Sequence, residues 1–215
     1  TEFPFGTARE IEVGMALARA HRISYVGELG WELYIPTEMA AYIFEKIIGL
    51  DVSVRPKLCG MHVLDSCRLE KAFRHFGHDI TDEDHVLEAG LGFAVKIDKV
   101  QSKFGEFLGR SAVLRKKEHG LCQKLVQFVL NDPKPLVYHN EPLYRDGKPV
   151  GRITSGNYGH FLKGSVALGY IPIEPGETDG ELLSSRYEVE IAGEKYAAQA
   201  SLKPAYDPSG KNMRQ

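Results

Sequence analysis

The chain of 215 residues carries 27 Lys and Arg against 29 Asp and Glu, a formal net charge of −2 that lacks the basic footprint of a nucleic-acid or anionic-membrane binder. No apolar run is long enough to span a bilayer, and no signal peptide is visible. With 43% hydrophobic and 26% charged residues, the composition is that of an ordinary globular protein with room for one large or two small domains.

Residues 1–21 mix polar and apolar positions and read as a strand severed from partners upstream. Ile23–Val26 and Trp31–Ile35 are rich in aromatic and β-branched residues, with Gly27 and Gly30 bracketing a reversal between them, so this stretch reads as a hairpin. Thr37 is a candidate N-cap, after which Met39, Ile43, Phe44 and Ile47 recur at helical spacing up to Gly49. A second helix is expected from Met61 to about Phe73, and a third over Ala112–His119, closed by Gly120.

From Leu121 onward strand-like runs dominate: Lys124–Leu130, Pro142–Arg145, Pro149–Ser155, Val166–Ile171, Tyr187–Ile191 and Lys195–Leu202. Asp146-Gly147 is a strong two-residue hairpin signal and Ala192-Gly193 a weaker one. Strands at this spacing, without helices between them, predict a small antiparallel barrel or sandwich. The fold class is therefore α+β, a mixed helix/strand portion over residues 1–117 followed by a small antiparallel β-barrel over 118–215. Cys59, Cys67 and Cys122 form no CxxC pair and no disulfide framework, so they read as buried thiols from a reducing compartment.

The candidate binding residues lie in the first hairpin. With its turn centred on Glu28-Leu29, Tyr25 faces Glu32 and Ile23 faces Tyr34, while Val26, Trp31, Leu33 and Ile35 form the opposite, core face. A carboxylate beside aromatic planes suits a flat heterocycle with adjacent N–H donors, such as a pterin, because the rings stack while two oxygens accept a forked pair of hydrogen bonds. The competing reading is an exposed Glu and Tyr on a solvated strand face. His75 and His78 are three apart, as ligands on one helical face would be. However, Gly77 interrupts the helix and no ligand template such as HExxH is present, so no metal site is assigned. Arg68 and Lys71 read as helix-supporting partners of Asp65 and other acids, or as cations for a carboxylate-bearing ligand.

Several segments, in order, resemble the folate-binding aminomethyltransferase (glycine-cleavage T-protein) family: Asp65–Ile80 (DSCRLEKAFRHFGHDI), Leu87–Ile97, Leu143–Gly156 and Val166–Ile171. The wording GELGWELYIP with RLEKAFRHFG is nearer to one branch, the folate-binding C-terminal portion of dimethylglycine and sarcosine dehydrogenases. The resemblance covers about residues 22–200 and implies the C-terminal barrel, tetrahydrofolate as the ligand of Tyr25 and Glu32, and FAD in an N-terminal domain of the parent. It also implies that the chain is a piece of a longer polypeptide whose N-terminal half is its partner.

The parent is then a cytoplasmic enzyme, or a mitochondrial-matrix one if eukaryotic. The aminomethyltransferases carry a folate-contacting Arg four residues before the Arg of RLE, where this chain has Leu64, which favours the dehydrogenase branch. The family's catalytic aspartate belongs to the half not present here, and no Ser-His-Asp, Cys-His or GxGxxG arrangement is found, so no catalytic residue is assigned. Two alternatives stand beside this reading. One is a non-catalytic relative resembling the pyruvate dehydrogenase phosphatase regulatory subunit. The other is a flavin-free folate-dependent demethylase acting on sulfonium compounds.

Overall fold

A computed structural model of the chain describes residues 2–97 and 107–215; residues 98–106 of the first expected unit lie outside the described residues. The N-terminal portion is built on a three-stranded antiparallel sheet of β1 (Ala8–Val13), β2 (Ala16–His21) and β3 (Glu32–Tyr34). Gly14 at φ +64° and Met15 turn β1 directly into β2. Residues 1–21 therefore supply their own strand partner and are not a lone severed strand. Ala16, Ala18 and Ala20 are buried at alternate positions of β2, and Ala16 and Ala18 pack on Ile43 of α1 (Ala40–Ile48).

The expected hairpin between residues 23–26 and 31–35 does not form. β3 pairs instead with β2, placing Glu32 opposite His21, Leu33 opposite Ala20 and Tyr34 opposite Arg19. Residues 22–31 form an irregular connection, so Tyr25 does not face Glu32 and Ile23 does not face Tyr34. The physical reason is that an alanine-alternating strand just upstream offers β3 a ladder, and the Gly27 loop finds other partners, described below.

Helix α2 (Met61–Glu70) ends sooner than the expected Phe73, because Ala72 adopts a left-handed φ of +53°. Helix α3 (Arg110–His119) runs from Gly109 to Gly120. Thr37 begins a short 3-10 turn before α1 and makes no side-chain cap.

The C-terminal portion is a closed six-stranded barrel of β4 (Gln123–Leu130), β5 (Pro142–Arg145), β6 (Lys148–Gly159), β7 (Gly164–Pro172), β8 (Tyr187–Ile191) and β9 (Glu194–Ser201), in the order β4-β7-β6-β5-β8-β9 with every neighbour antiparallel. The two expected turns are present, with Asp146-Gly147 and Ala192-Gly193 all at positive φ, as a primed hairpin turn demands. Helix α4 (Asp179–Ser184) is an addition that barrel periodicity does not announce.

Two strands are buried on both faces, and this seats the site. Val126 and Phe128 of β4 and Ala167 and Ile171 of β7 point into the barrel. Their neighbours Leu125, Val166 and Leu168 point outward and pack on Leu69 of α2 and on Ala72. Helix α2 is thus clamped on the barrel wall with its C-terminus beside the loop 22–31.

Candidate functional site

The RLEKAFRH segment, residues 68–75, is where helix, barrel and loop meet, and its buried charges are internally matched. The Arg68 guanidinium binds Asp65 at 2.6 Å and Asp79 at 2.5 Å, and Asp79 also accepts the Thr154 hydroxyl of β6 at 2.5 Å. One Glu70 oxygen accepts the backbone N–H groups of Phe161 and Leu162, each at 2.8 Å. Lys71, 2% exposed, donates to the Asp207 carboxylate at 3.0 Å and to the Asp207 carbonyl. A cation held this way is not available to a ligand without breaking a buried pair. Arg68 and Lys71 are therefore structural ion-pair members.

Tyr25 sits at the same junction. Its hydroxyl donates to the Arg74 carbonyl at 2.9 Å, and its ring lies parallel to Phe73 with centroids 6.1 Å apart. Burial raises the hydroxyl above its ordinary pKa, the Arg68 guanidinium opposes this, and Asp79 and Asp65 add to it, so the group stays a protonated donor. Tyr25, Lys71, Phe73, Arg74 and Phe93, together with Pro204, Met213 and Arg214, line a cleft of about 650 Å³.

Glu32 is not among the residues lining that cleft. It stands on the exposed face of β3, where its Oε2 accepts the Tyr34 hydroxyl at 3.1 Å, and the Tyr34 ring lies 4.8 Å from that of His21. The aromatic neighbours of the carboxylate are thus Tyr34 and His21. Tyr25 stands apart from them on the irregular loop.

Loop 22–31 owes its shape to the segment that follows the barrel, for which no local sequence motif predicts a role. Tyr206 donates its hydroxyl to the Glu28 carboxylate and accepts from Asn212 at 2.8 Å. Gly27 has φ +80°, and a Cβ there would lie 3.1 Å from Lys71 Cδ, so the loop hugs the lysine stem at a residue without a side chain. Asp207 is itself anchored. Burial pushes its pKa upward, but Lys71, the backbone N–H groups of Asn212 and Lys211 and the Ser209 hydroxyl outweigh that and hold it at about 2. The turn chemistry of Pro204–Gly210 was the available signal; its partners, far away in sequence, were not.

A second cleft of about 470 Å³ lies between α2 and the barrel, lined by Leu64, Asp65, Arg68, His62, His75, His78 and His139 among others. The His75 and His78 rings are 4.5 Å apart, beyond the end of α2 rather than on a helical face. Among the described residues, no group of three or more His, Cys, Asp or Glu side chains is arranged to hold a metal ion. The cysteines are all free, with Cys59 and Cys122 exposed, which corrects the expectation of three buried thiols. No helix among the described residues is long and apolar enough to cross a membrane.

Comparison with known proteins agrees with this architecture. Residues 1–99 match the model of the GCVT N-terminal domain, and residues 123–207 that of the glycine cleavage T-protein C-terminal barrel domain. The chain is 41% identical over 206 residues to a 4-methylaminobutanoate oxidase (formaldehyde-forming) of Paenarthrobacter nicotinovorans, covering 96% of this chain and 24% of that protein. It is 33% identical over 214 residues to human mitochondrial sarcosine dehydrogenase, covering 99% of this chain and 23% of the dehydrogenase. The chain thus spans about a quarter of the length of these curated relatives. Its fold is similar to the crystal structure of glycine cleavage system aminomethyltransferase T from Bartonella henselae, with a TM-score of 0.76 and 27% identity over 93% of this chain and 52% of that one. The two matched domains, the closed barrel and this structural likeness together make the chain a member of the aminomethyltransferase (glycine-cleavage T-protein) family.

Proposed function

We propose that this chain is the folate-facing portion of a tetrahydrofolate-dependent demethylating enzyme acting on methylated glycines or related methylated amines. The observation that carries this reading is the cleft beside Tyr25. Among the described residues its walls hold aromatic rings and cations and no carboxylate, which suits a flat, acid-tailed ligand. Tyr25 would pack against that ligand, and the exposed Glu32 carboxylate would accept adjacent N–H donors of its pterin ring. When bound, tetrahydrofolate supplies the nitrogen that takes up the one-carbon unit, giving methylenetetrahydrofolate.

The residues of this chain bind and orient, and none is assigned a proton-transfer role. Orientation is the larger contribution in such transfers, because holding two reactants together raises their effective molarity. FAD would be bound by a part of the parent outside this chain, and the catalytic aspartate implied by the family resemblance would come from the N-terminal half. The relatives named as mitochondrial sarcosine and dimethylglycine dehydrogenases support a mitochondrial location if the parent is eukaryotic.

Calorimetry with reduced folate tests the reading. The chain alone is expected to bind weakly and to show no demethylase activity, since the part of the site that the N-terminal half would supply is absent and more of the ligand stays in water. The full-length parent is expected to bind tightly, and its Glu32→Ala variant to bind less well. Equal binding by the parent and that variant would remove Glu32 from the site. A non-catalytic regulatory role predicts no one-carbon transfer by the full-length parent at all.

A further inference from the structure

We propose that Lys116 and Cys122 form a redox-responsive modification site, at which dioxygen joins the lysine Nζ to the cysteine Sγ through a single oxygen atom and so ties helix α3 to strand β4. Neither residue lines the two clefts described above, and the site is independent of the folate reading.

The chain turns from α3 into β4 across Gly120 at φ +90°, which brings a lysine of the last helical turn over the residue that precedes the strand. Lys116 Nζ stands 3.5 Å from Cys122 Sγ. One Glu88 oxygen accepts from the same ammonium at 2.7 Å and from the Cys122 backbone N–H at 2.9 Å, while the other accepts from the Gln123 side chain at 3.4 Å. Glu88 is 5% exposed, so one fixed carboxylate holds the amine and the cysteine backbone to a single point. The Cys122 carbonyl is held in turn by the Ile173 N–H at 3.0 Å. Inserting an oxygen between Nζ and Sγ then needs only a short contraction, which the flexible lysine stem supplies with the backbone in place.

The other two cysteines lack this setting. Burial raises the Cys67 thiol above its ordinary pKa, and Glu70 and Glu28 add to the rise, whereas the thiolate is the reactive form. Cys59 is exposed, but its Sγ faces the Lys57 carbonyl at 3.7 Å. Among the described residues, Cys122 alone combines exposure with a lysine nitrogen in contact.

The step balances with dioxygen as the oxidant. The thiol S–H bond, two ammonium N–H bonds and the O–O bond break, and S–O and O–N bonds form. One oxygen atom stays in the bridge and the other leaves as water. Sulfur and nitrogen each give up two electrons, the four that reduce dioxygen, and the one proton left over has Glu88 as its nearest base. A dithiol reductant returns four electrons and restores thiol, ammonium and water. The bridged nitrogen carries no ammonium charge, so oxidation exchanges the Lys116–Glu88 ion pair for a covalent tie between the last turn of α3 and the start of the barrel. It also keeps Cys122 off the path to sulfinic and sulfonic acids.

Intact and peptide mass spectrometry of the chain, purified under reductant and then held in air-saturated buffer, tests this. The wild type is expected to gain about 14 Da, one oxygen in and two hydrogens out, on a peptide pair linking Lys116 to Cys122, and to lose it again with dithiothreitol. Trypsin should no longer cut after Lys116 in the linked form. Lys116→Arg, which keeps a cation opposite Glu88, and Cys122→Ser should abolish the gain. Cys59→Ser and Cys67→Ser should retain it, with circular dichroism unchanged in all four variants. No linked peptide in the wild type, or a gain of about 16 or 32 Da at Cys122 to the same extent in wild type and Lys116→Arg, would overturn the proposal.

Discussion

Arg68 and Asp79 form an ion pair of 2.5 Å in which the arginine side chain is 2% exposed and the aspartate fully buried. The second Asp79 oxygen accepts the Thr154 hydroxyl from the barrel, so one carboxylate joins helix α2 to strand β6. Removing one partner of a buried pair strands the other charge. Asp79→Ala is therefore expected to destabilise the chain by about 3 kcal/mol or more in urea unfolding, with Asp79→Asn milder. A loss below about 1 kcal/mol would mean that Asp65 alone satisfies the guanidinium.

The Lys71–Asp207 contact predicts an acid response. The folded Asp207 pKa of about 2 lies below its ordinary value of 3.8, so the native state binds the proton less readily than the unfolded chain. The contribution is complete above about pH 4 and fades as pH falls toward 2. The stability gap between wild type and Asp207→Asn should accordingly be present at neutral pH and close under acid. A gap that persists at pH 2 would assign the effect to packing.

Helix α4 depends on its capping box. The Thr178 hydroxyl accepts the Glu181 N–H at 3.2 Å, and the Glu181 carboxylate accepts the Thr178 N–H at 2.8 Å. Thr178→Ala should cost about 1 kcal/mol in denaturant unfolding. An unchanged midpoint would show that burial of Leu182 holds this turn without the cap.

Tyr25 and Glu32 separate stability from binding. Glu32 is exposed, so Glu32→Ala should move the unfolding free energy by less than about 0.5 kcal/mol. Tyr25→Phe removes the hydrogen bond to Arg74 and should cost about 1 kcal/mol. A Glu32 variant that unfolds easily would make any loss of folate binding uninformative about direct contact.

The barrel was legible because its signals are local. Alternation and glycine turns located every strand of β4–β9, and Asp146-Gly147 fixed one hairpin outright. The N-terminal sheet was not, because β2 buries alanines, whose weak apolar signal reads as mixed polarity. With β2 unrecognisable from its alanines, residues 23–26 are the nearest β-rich partner for β3, which is why the sequence pattern suggests a hairpin that does not form. Helix α4 is short and sits in a strand-rich region, so only the capping-box spacing of Thr178 and Glu181 announces it. The charge pairing of Arg68 and Lys71 was half visible. Asp65 is three residues from Arg68, whereas Asp79 and Asp207 reach the site only through tertiary structure.

A closed barrel has no outer strand from which fraying can start, whereas the sheet of β1, β2 and β3 has two open sides. Amide protons should therefore be lost to deuterium in a set order, β3 early and the inner strands β4 and β7 only with global opening. Glu32 lies on that early-exchanging strand and Tyr25 in the loop leading to it. A ligand that engages them would be reported at Leu33 and Tyr34 as slowed exchange, against a barrel whose protection does not move and which serves as the internal reference.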